Sequence, residues 1–179
     1  MTHRPYTPPA WQAKPLADGR VTLLVVPLKH QPGDLDRPFQ LGDGTWHVSD
    51  SQGGHMSPLL LPYAPGDLIW CREAWRNTED FGLMYKSCSG VEFNWRSPIT
   101  MPKWAARTWL RCTGVEVRRV QTISHAETIR NGRAAYANSL TIDCDTPTPR
   151  DDFAKAFPNF AANPWAAFTT VEKISKEDV

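Results

Sequence analysis

Nowhere in the 179 residues do 18 apolar residues stand together, and the opening, MTHRPYTPPAWQ, holds no apolar stretch of signal-peptide length. These absences predict a cytoplasmic protein with no membrane partner. Cysteine is scarce: Cys71, Cys88, Cys112 and Cys144 show no C-x-x-C spacing, which argues against a zinc knuckle or a thioredoxin-like site and leaves reduced, mostly buried thiols. Charge of one sign is lacking too. Lys and Arg number 20 against 19 Asp and Glu, a net +1, so neither a globally basic nucleic-acid coat nor an acidic mimic is indicated. There is no G-x-G-x-x-G and no P-loop, so no cofactor is expected. His30, His47 and His55 lie among Asp34, Asp36, Asp43 and Asp50 but match no ligand spacing, so no metal is expected either.

What is present is a globular composition, 41% hydrophobic and 22% charged, with 16 prolines and 11 glycines that imply many turns. One domain over residues 1–174 is expected, followed by a solvated tail at 175–179. A polar, glycine-rich excursion from Gln31 to Ser57 reads mostly as an elaborated loop, in which a few residues such as Thr45 to Val48 suggest a short strand. Strands are expected at Val21 to Val26, at Leu68 to Trp75 after the Pro-Gly-Asp turn, across Thr108 to Val120 with Gly114 at a bulge or corner, and at Trp165 to Ile174. Ser124 and Glu127 form a capping box for a helix from His125 to Asn131 that Gly132 ends. Thr148 caps a second from Pro149 to Phe157, with Phe153 and Phe157 facing the core. The order predicts an α+β fold, a small β barrel with short helices packed on it and not a doubly wound sheet.

Chemistry concentrates in two places. Between Met101 and Arg133, seven cations (Lys103, Arg107, Arg111, Arg118, Arg119, Arg130, Arg133) face two acids (Glu116, Glu127), interleaved with Trp104 and Trp109. Cations beside exposed aromatics suit single strands or flipped bases, because arginine neutralises phosphate and an indole stacks on any base. The bland alternative is solvated strand faces over a tryptophan core. The second place is Trp70, Arg72, Glu73 and Trp75. Adjacent on a strand, Arg72 and Glu73 would point to opposite faces, and an inward Glu73 would serve either as a general acid or base or as half of a salt bridge to an arginine. Ser124 beside His125 is explained by the cap, and no third member of a triad is identifiable.

The segments PGDLIWCREAW, ITMPKWAARTWLRCTGVEVRRVQTIS, DDFAKAF and NPWAAFTTVEKI, in that order, resemble phage and prophage proteins carrying an ASCH domain of the PUA-like superfamily. The resemblance covers Pro62 to Ile174 and, more loosely, Pro5 to Lys29. It implies a PUA-like mixed β pseudo-barrel, a superfamily that mostly handles RNA or modified bases, and, for a phage-encoded chain, the host cytoplasm. Some small relatives are amidohydrolases of acetylated cytidine, and others are linked to ribonuclease activity. Their G-R-K-T-x-T-R-R segment is matched here at Gly19, Arg20 and Thr22. Val21 stands at the lysine position, Leu24 at the second threonine, and Val25 and Val26 at the two arginines. A valine can neither attack nor donate to an acyl oxygen, so two members of the amidohydrolase's set are missing, with Glu73 the candidate for the third.

Residues and resemblance together predict a module that binds RNA or single-stranded or modified DNA through Arg20, Thr22, Trp70, Arg72, Trp75, Lys103, Trp104 and Arg107. Two alternatives stand beside it. One is a hydrolase, amidohydrolase or ribonuclease, with Glu73 as its catalytic group. The other is a phage accessory protein that binds a host protein through residues 31–57.

Overall fold

The computed structural model describes residues 2–33, 36–49, 56–90, 92–133 and 148–178. Its centre is a five-stranded sheet of β1 (His3–Tyr6), β2 (Leu23–Pro27), β6 (Leu68–Cys71), β9 (Trp109–Arg119) and β10 (Trp165–Ile174), in the order β1-β6-β9-β10-β2. Neighbours run antiparallel except β1 and β6, which are parallel. The architecture is α+β, mostly sheet with a few short helices. Among the described residues the sheet stays open, with β1 and β2 as its edges, and does not close into the expected barrel.

Both faces of the sheet are covered, and alternation along the strands sorts the side chains. Leu24, Ile69, Leu110, Cys112, Val115, Val117 and Ala167 share one core with Leu16 of α1 (Ala10–Ala17). Leu23, Val25, Ala166 and Phe168 face the other, where Phe153 of α3 (Pro149–Ala156) and the following Phe157 stack with centroids 5.2 Å apart. β9 serves one core along its whole length only because of a bulge. In its register with β10, Thr170 faces Gly114 and Val171 faces Cys112, so Thr113 is skipped. The inward positions therefore change from Val117 and Val115 to Cys112 and Leu110, and the segment expected as two half-buried strands or one bent strand is one strand with a register shift.

Both capping boxes form. In α2 (His125–Thr128) the Ser124 hydroxyl accepts from the Glu127 amide and the Glu127 carboxylate accepts from the Ser124 amide. Thr148 and Asp151 do the same for α3. α2 is shorter than expected, because the chain widens into a π turn over 129–133 in which Gly132 adopts a φ of 103°. That turn is pinned from inside: Asn131 donates to the Leu23 carbonyl, Gln12 donates to the Asn131 carbonyl, and the Tyr6 hydroxyl donates to Gln12.

One strand expectation is corrected. The strand from Leu68 to Trp75 is broken: β6 ends at Cys71, and β7 (Trp75–Thr78) pairs instead with β8 (Gly82–Tyr85) in a hairpin. Arg72 and Glu73 thus lie in the connection, not on opposite faces of a strand. The described part of the excursion at 31–57 holds more strand than the short piece expected. It forms an antiparallel sheet of β3 (Arg37–Gln40), β4 (Trp46–Ser49) and β5 (Met56–Pro58). Residues 175–178 are exposed and carry a 3-10 turn at Lys176–Asp178, from which Lys176 donates to the Trp104 carbonyl. His55, Asp34, Asp50 and Cys144 lie outside the described residues. Among the described residues no helix is long and apolar enough to cross a membrane.

Candidate nucleic-acid interface

The site grows from the break after Cys71. Residues 72–74 cross from the main sheet to the β7–β8 hairpin, and beneath the hairpin Trp75, Met101 and Ala105, with Leu83 and Tyr85, form a small separate core. Tyr85 ties that core to the segment before β9 by donating to the Ala105 carbonyl at 2.6 Å.

Glu73 is 3% exposed in the crossing. Its Oε1 accepts from Arg107 Nε at 3.0 Å, and its Oε2 accepts from Arg107 Nη2 at 2.8 Å and from the Ser87 hydroxyl at 2.5 Å. The Arg107 guanidinium lies 4.3 Å from the Tyr85 ring centroid and reaches the Cys88 sulfur at 3.0 Å. Burial works against the Arg107 charge, but the hydrogen bonds it donates to Glu73 and Cys88 outweigh it and hold its pKa above the ordinary value. Burial pushes the Tyr85 phenol up, with Arg107 opposing and Glu73 adding to the shift. Of the two roles open to Glu73, the geometry is that of a salt bridge. Both carboxylate oxygens already accept, so taking a proton from a substrate requires displacing a donor.

The remaining expected residues fall into separate settings. Trp75 is 5% and Trp109 2% exposed, whereas Trp104 is 59% exposed and meets the Trp75 ring edge-on with centroids 6.4 Å apart. Lys103 is exposed, with Nζ 5.4 Å from the Trp109 centroid, and Lys103, Trp104, Trp109 and Lys176 together line a shallow basic depression. Arg72 stacks on Trp70 and donates to the Thr7 hydroxyl. Arg20 pairs with Asp18 beyond α1, and Thr22 accepts from Arg130, so these two belong to a different corner. Val21, at the position where the resemblance expects lysine, is 1% exposed in the main core.

The run of cations between Met101 and Arg133 is not one surface. β9 alternates its side chains, and Arg111 pairs with Glu172 while Arg118 pairs with Glu116 and Glu127 and lies over the Phe168 ring. Arg119 covers Trp165, and Arg133 covers Trp11. Acids from outside the run, Glu73 on Arg107 and Glu172 on Arg111, offset two of the charges that the sequence concentrates locally, and Arg118, Arg119 and Arg133 lie over three different rings.

Sequence reasoning missed the β7–β8 hairpin and with it Arg76, Asn77, Asn94, Trp95 and Arg96, which line a polar cleft on the same subdomain. The aromatic and arginine content of that stretch was the available signal. A larger cleft of about 490 Å³ lies between α1, β2 and α3, but its lining is apolar and carries no charged side chain, which does not suit a phosphodiester. Compared with family models, curated proteins and solved structures, the chain finds no match.

Proposed function

We propose that this chain is a nucleic-acid-binding module of the PUA-like, ASCH-domain kind, which receives single-stranded RNA or an unstacked base on the face built from Lys103, Trp104 and Lys176. Trp104 carries the reading. A folded chain gains by burying indoles, and Trp75 and Trp109 directly behind it are buried. Trp104 instead presents its ring to solvent beside two lysines. A planar π face next to ammonium groups is the arrangement that stacks a base and neutralises its phosphate.

A hydrolase centred on Glu73 is less well supported. Its carboxylate is saturated by Arg107 and Ser87, and the lysine position is a core valine. Titration of fluorescently labelled single-stranded RNA and DNA across a salt series tests the proposal. Binding that weakens with salt, and weakens again in Lys103→Ala and Lys176→Ala, supports it. Binding undetectable at low salt, or unchanged in both variants, overturns it.

A further inference from the structure

The hairpin subdomain carries a second basic feature beside the buried Trp75. Residue 96 bridges β7 in antiparallel fashion, with the Trp75 amide donating to the Arg96 carbonyl at 3.3 Å and the Arg96 amide donating to the Trp75 carbonyl at 2.9 Å. That direction brings Trp95 and Asn94 alongside Arg76 and Asn77, and together with Arg96 these residues line a cleft of about 410 Å³. The volume falls within the range of small-molecule sites.

The lining is unusual in what it offers. Arg76 and Arg96 supply two guanidinium groups, held by rings and not by acids: Arg76 lies 5.8 Å from the Phe93 centroid and Arg96 5.3 Å from that of Trp75. Among the described residues neither has an ion-pair partner, although Glu79, Asp80 and Glu92 are close in sequence. Asn77 and Asn94 add two exposed carboxamides, each with donors and an acceptor. Trp95 contributes an indole whose Nε1–H is buried without a hydrogen-bond partner. Unpaired guanidiniums invite a phosphate, carboxamides match the hydrogen-bonding edge of a base, and the indole face is there to stack on.

We infer that the cleft lined by Arg76, Asn77, Asn94, Trp95 and Arg96 is a seat for one phosphorylated nucleoside, the phosphate on the arginines and the base between the carboxamides and Trp95. For the identity of its ligand this inference rests on the nucleic-acid reading above. The seat and the Trp104 platform flank the same buried tryptophan, since Arg96 lies over the Trp75 ring and Trp104 meets it edge-on. One strand would therefore be read at two points.

Calorimetric titration of the whole chain at low salt with uridine, cytidine and adenosine monophosphates, with the matching nucleosides and with inorganic phosphate tests the seat. The expected result is one monophosphate bound per chain, tighter than either phosphate or nucleoside alone. Arg96→Gln should weaken it by about tenfold or more, since a charge-assisted contact is lost. Asn77→Asp, an exposed substitution that places a carboxylate among the guanidiniums, should abolish it. No saturable binding of monophosphates, or equal binding by wild type and both variants, overturns the seat. Inorganic phosphate bound as tightly as the monophosphates overturns the role of Asn77, Asn94 and Trp95 in holding a base. Labelled single strands distinguish the two claims. If strands bind and monophosphates do not, the seat falls while the Trp104 reading stands. If monophosphates bind with the stated residue dependence and strands do not, the seat stands and the strand reading falls.

Discussion

The guanidinium of Arg107 grips the carboxylate of Glu73 with two parallel contacts, Nε to Oε1 at 3.0 Å and Nη2 to Oε2 at 2.8 Å. The pair joins the loop after β6 to the segment before β9, and so couples the hairpin subdomain to the main sheet. The planar fork of arginine matches a carboxylate in a way that lysine cannot.

Removing Arg107 leaves the buried Glu73 carboxylate with the Ser87 hydroxyl as a donor and no countercharge on its oxygens. Arg107→Met is therefore expected to destabilise the chain by about 3–5 kcal/mol, and Glu73→Met in the same background should recover much of that loss. Urea denaturation of the single and double variants checks this. Equal stability of Arg107→Met and wild type would contradict the pairing.

A glycine in a conformation that other residues rarely adopt closes the π turn. Gly132 holds φ at 103°, and a methyl group there would sit 3.0 Å from Val21 Cγ2 and 3.3 Å from Pro15 Cβ. Gly132→Ala is expected to cost about 1–3 kcal/mol, from the backbone conformation and the contact together. A thermal midpoint no lower than that of the wild type would contradict it.

Much of this frame was legible in the sequence, and the legible parts share a property. The capping boxes at Ser124 and Thr148, the β10 boundaries at Trp165 and Ile174, and the inward Phe153 depend on residues a few positions apart, where local geometry decides. What was hidden depends on distant pairing. β1 is a four-residue strand containing a proline that gains its order from parallel pairing with β6. α1 carries Pro15 inside it, which argues against a helix locally, yet Leu16 packs into the main core. The site follows the same division. Glu73 was expected to be paired if buried, but its partner Arg107, 34 residues away, was read instead as a cation for phosphate. The excess of cations was visible, while the pairing of Arg111 with Glu172 and the stacking of Arg118 and Arg119 on Phe168 and Trp165 were not, because those contacts form only when β9 pairs with β10.

Acid should loosen α2. Burial raises the Glu127 pKa, but the bonds from Arg118 and Ser124 outweigh it and hold the carboxyl below its ordinary value. A folded-state pKa lower than the unfolded one gives stability that is present above the ordinary glutamate value of about 4.3 and lost as pH falls through the folded value. Thermal midpoints should therefore drop on acidification below about pH 4, and Glu127→Gln should flatten that limb. A limb of unchanged steepness in the variant would contradict this cause.

The cysteines should differ sharply in reactivity. Cys88 is exposed beside Arg107, whereas Cys71 and Cys112 are buried; burial raises the Cys71 thiol and pushes that of Cys112 up to about 11. In a Cys144→Ser chain, a thiol reagent at neutral pH is expected to modify Cys88 alone, with no rapid phase left after Cys88→Ser. Rapid labelling of Cys71 or Cys112 in the folded chain would contradict the placement of these side chains.

The central claim is that Trp104 is a stacking platform while Trp75 and Trp109 are core, and intrinsic fluorescence tests it most directly. Titrating wild type and Trp104→Phe with a short single-stranded RNA should give saturable, salt-sensitive quenching in the wild type and, with stability unchanged within about 1 kcal/mol, loss of most of that signal in the variant. Quenching of equal size in both chains, or none in either, would contradict it.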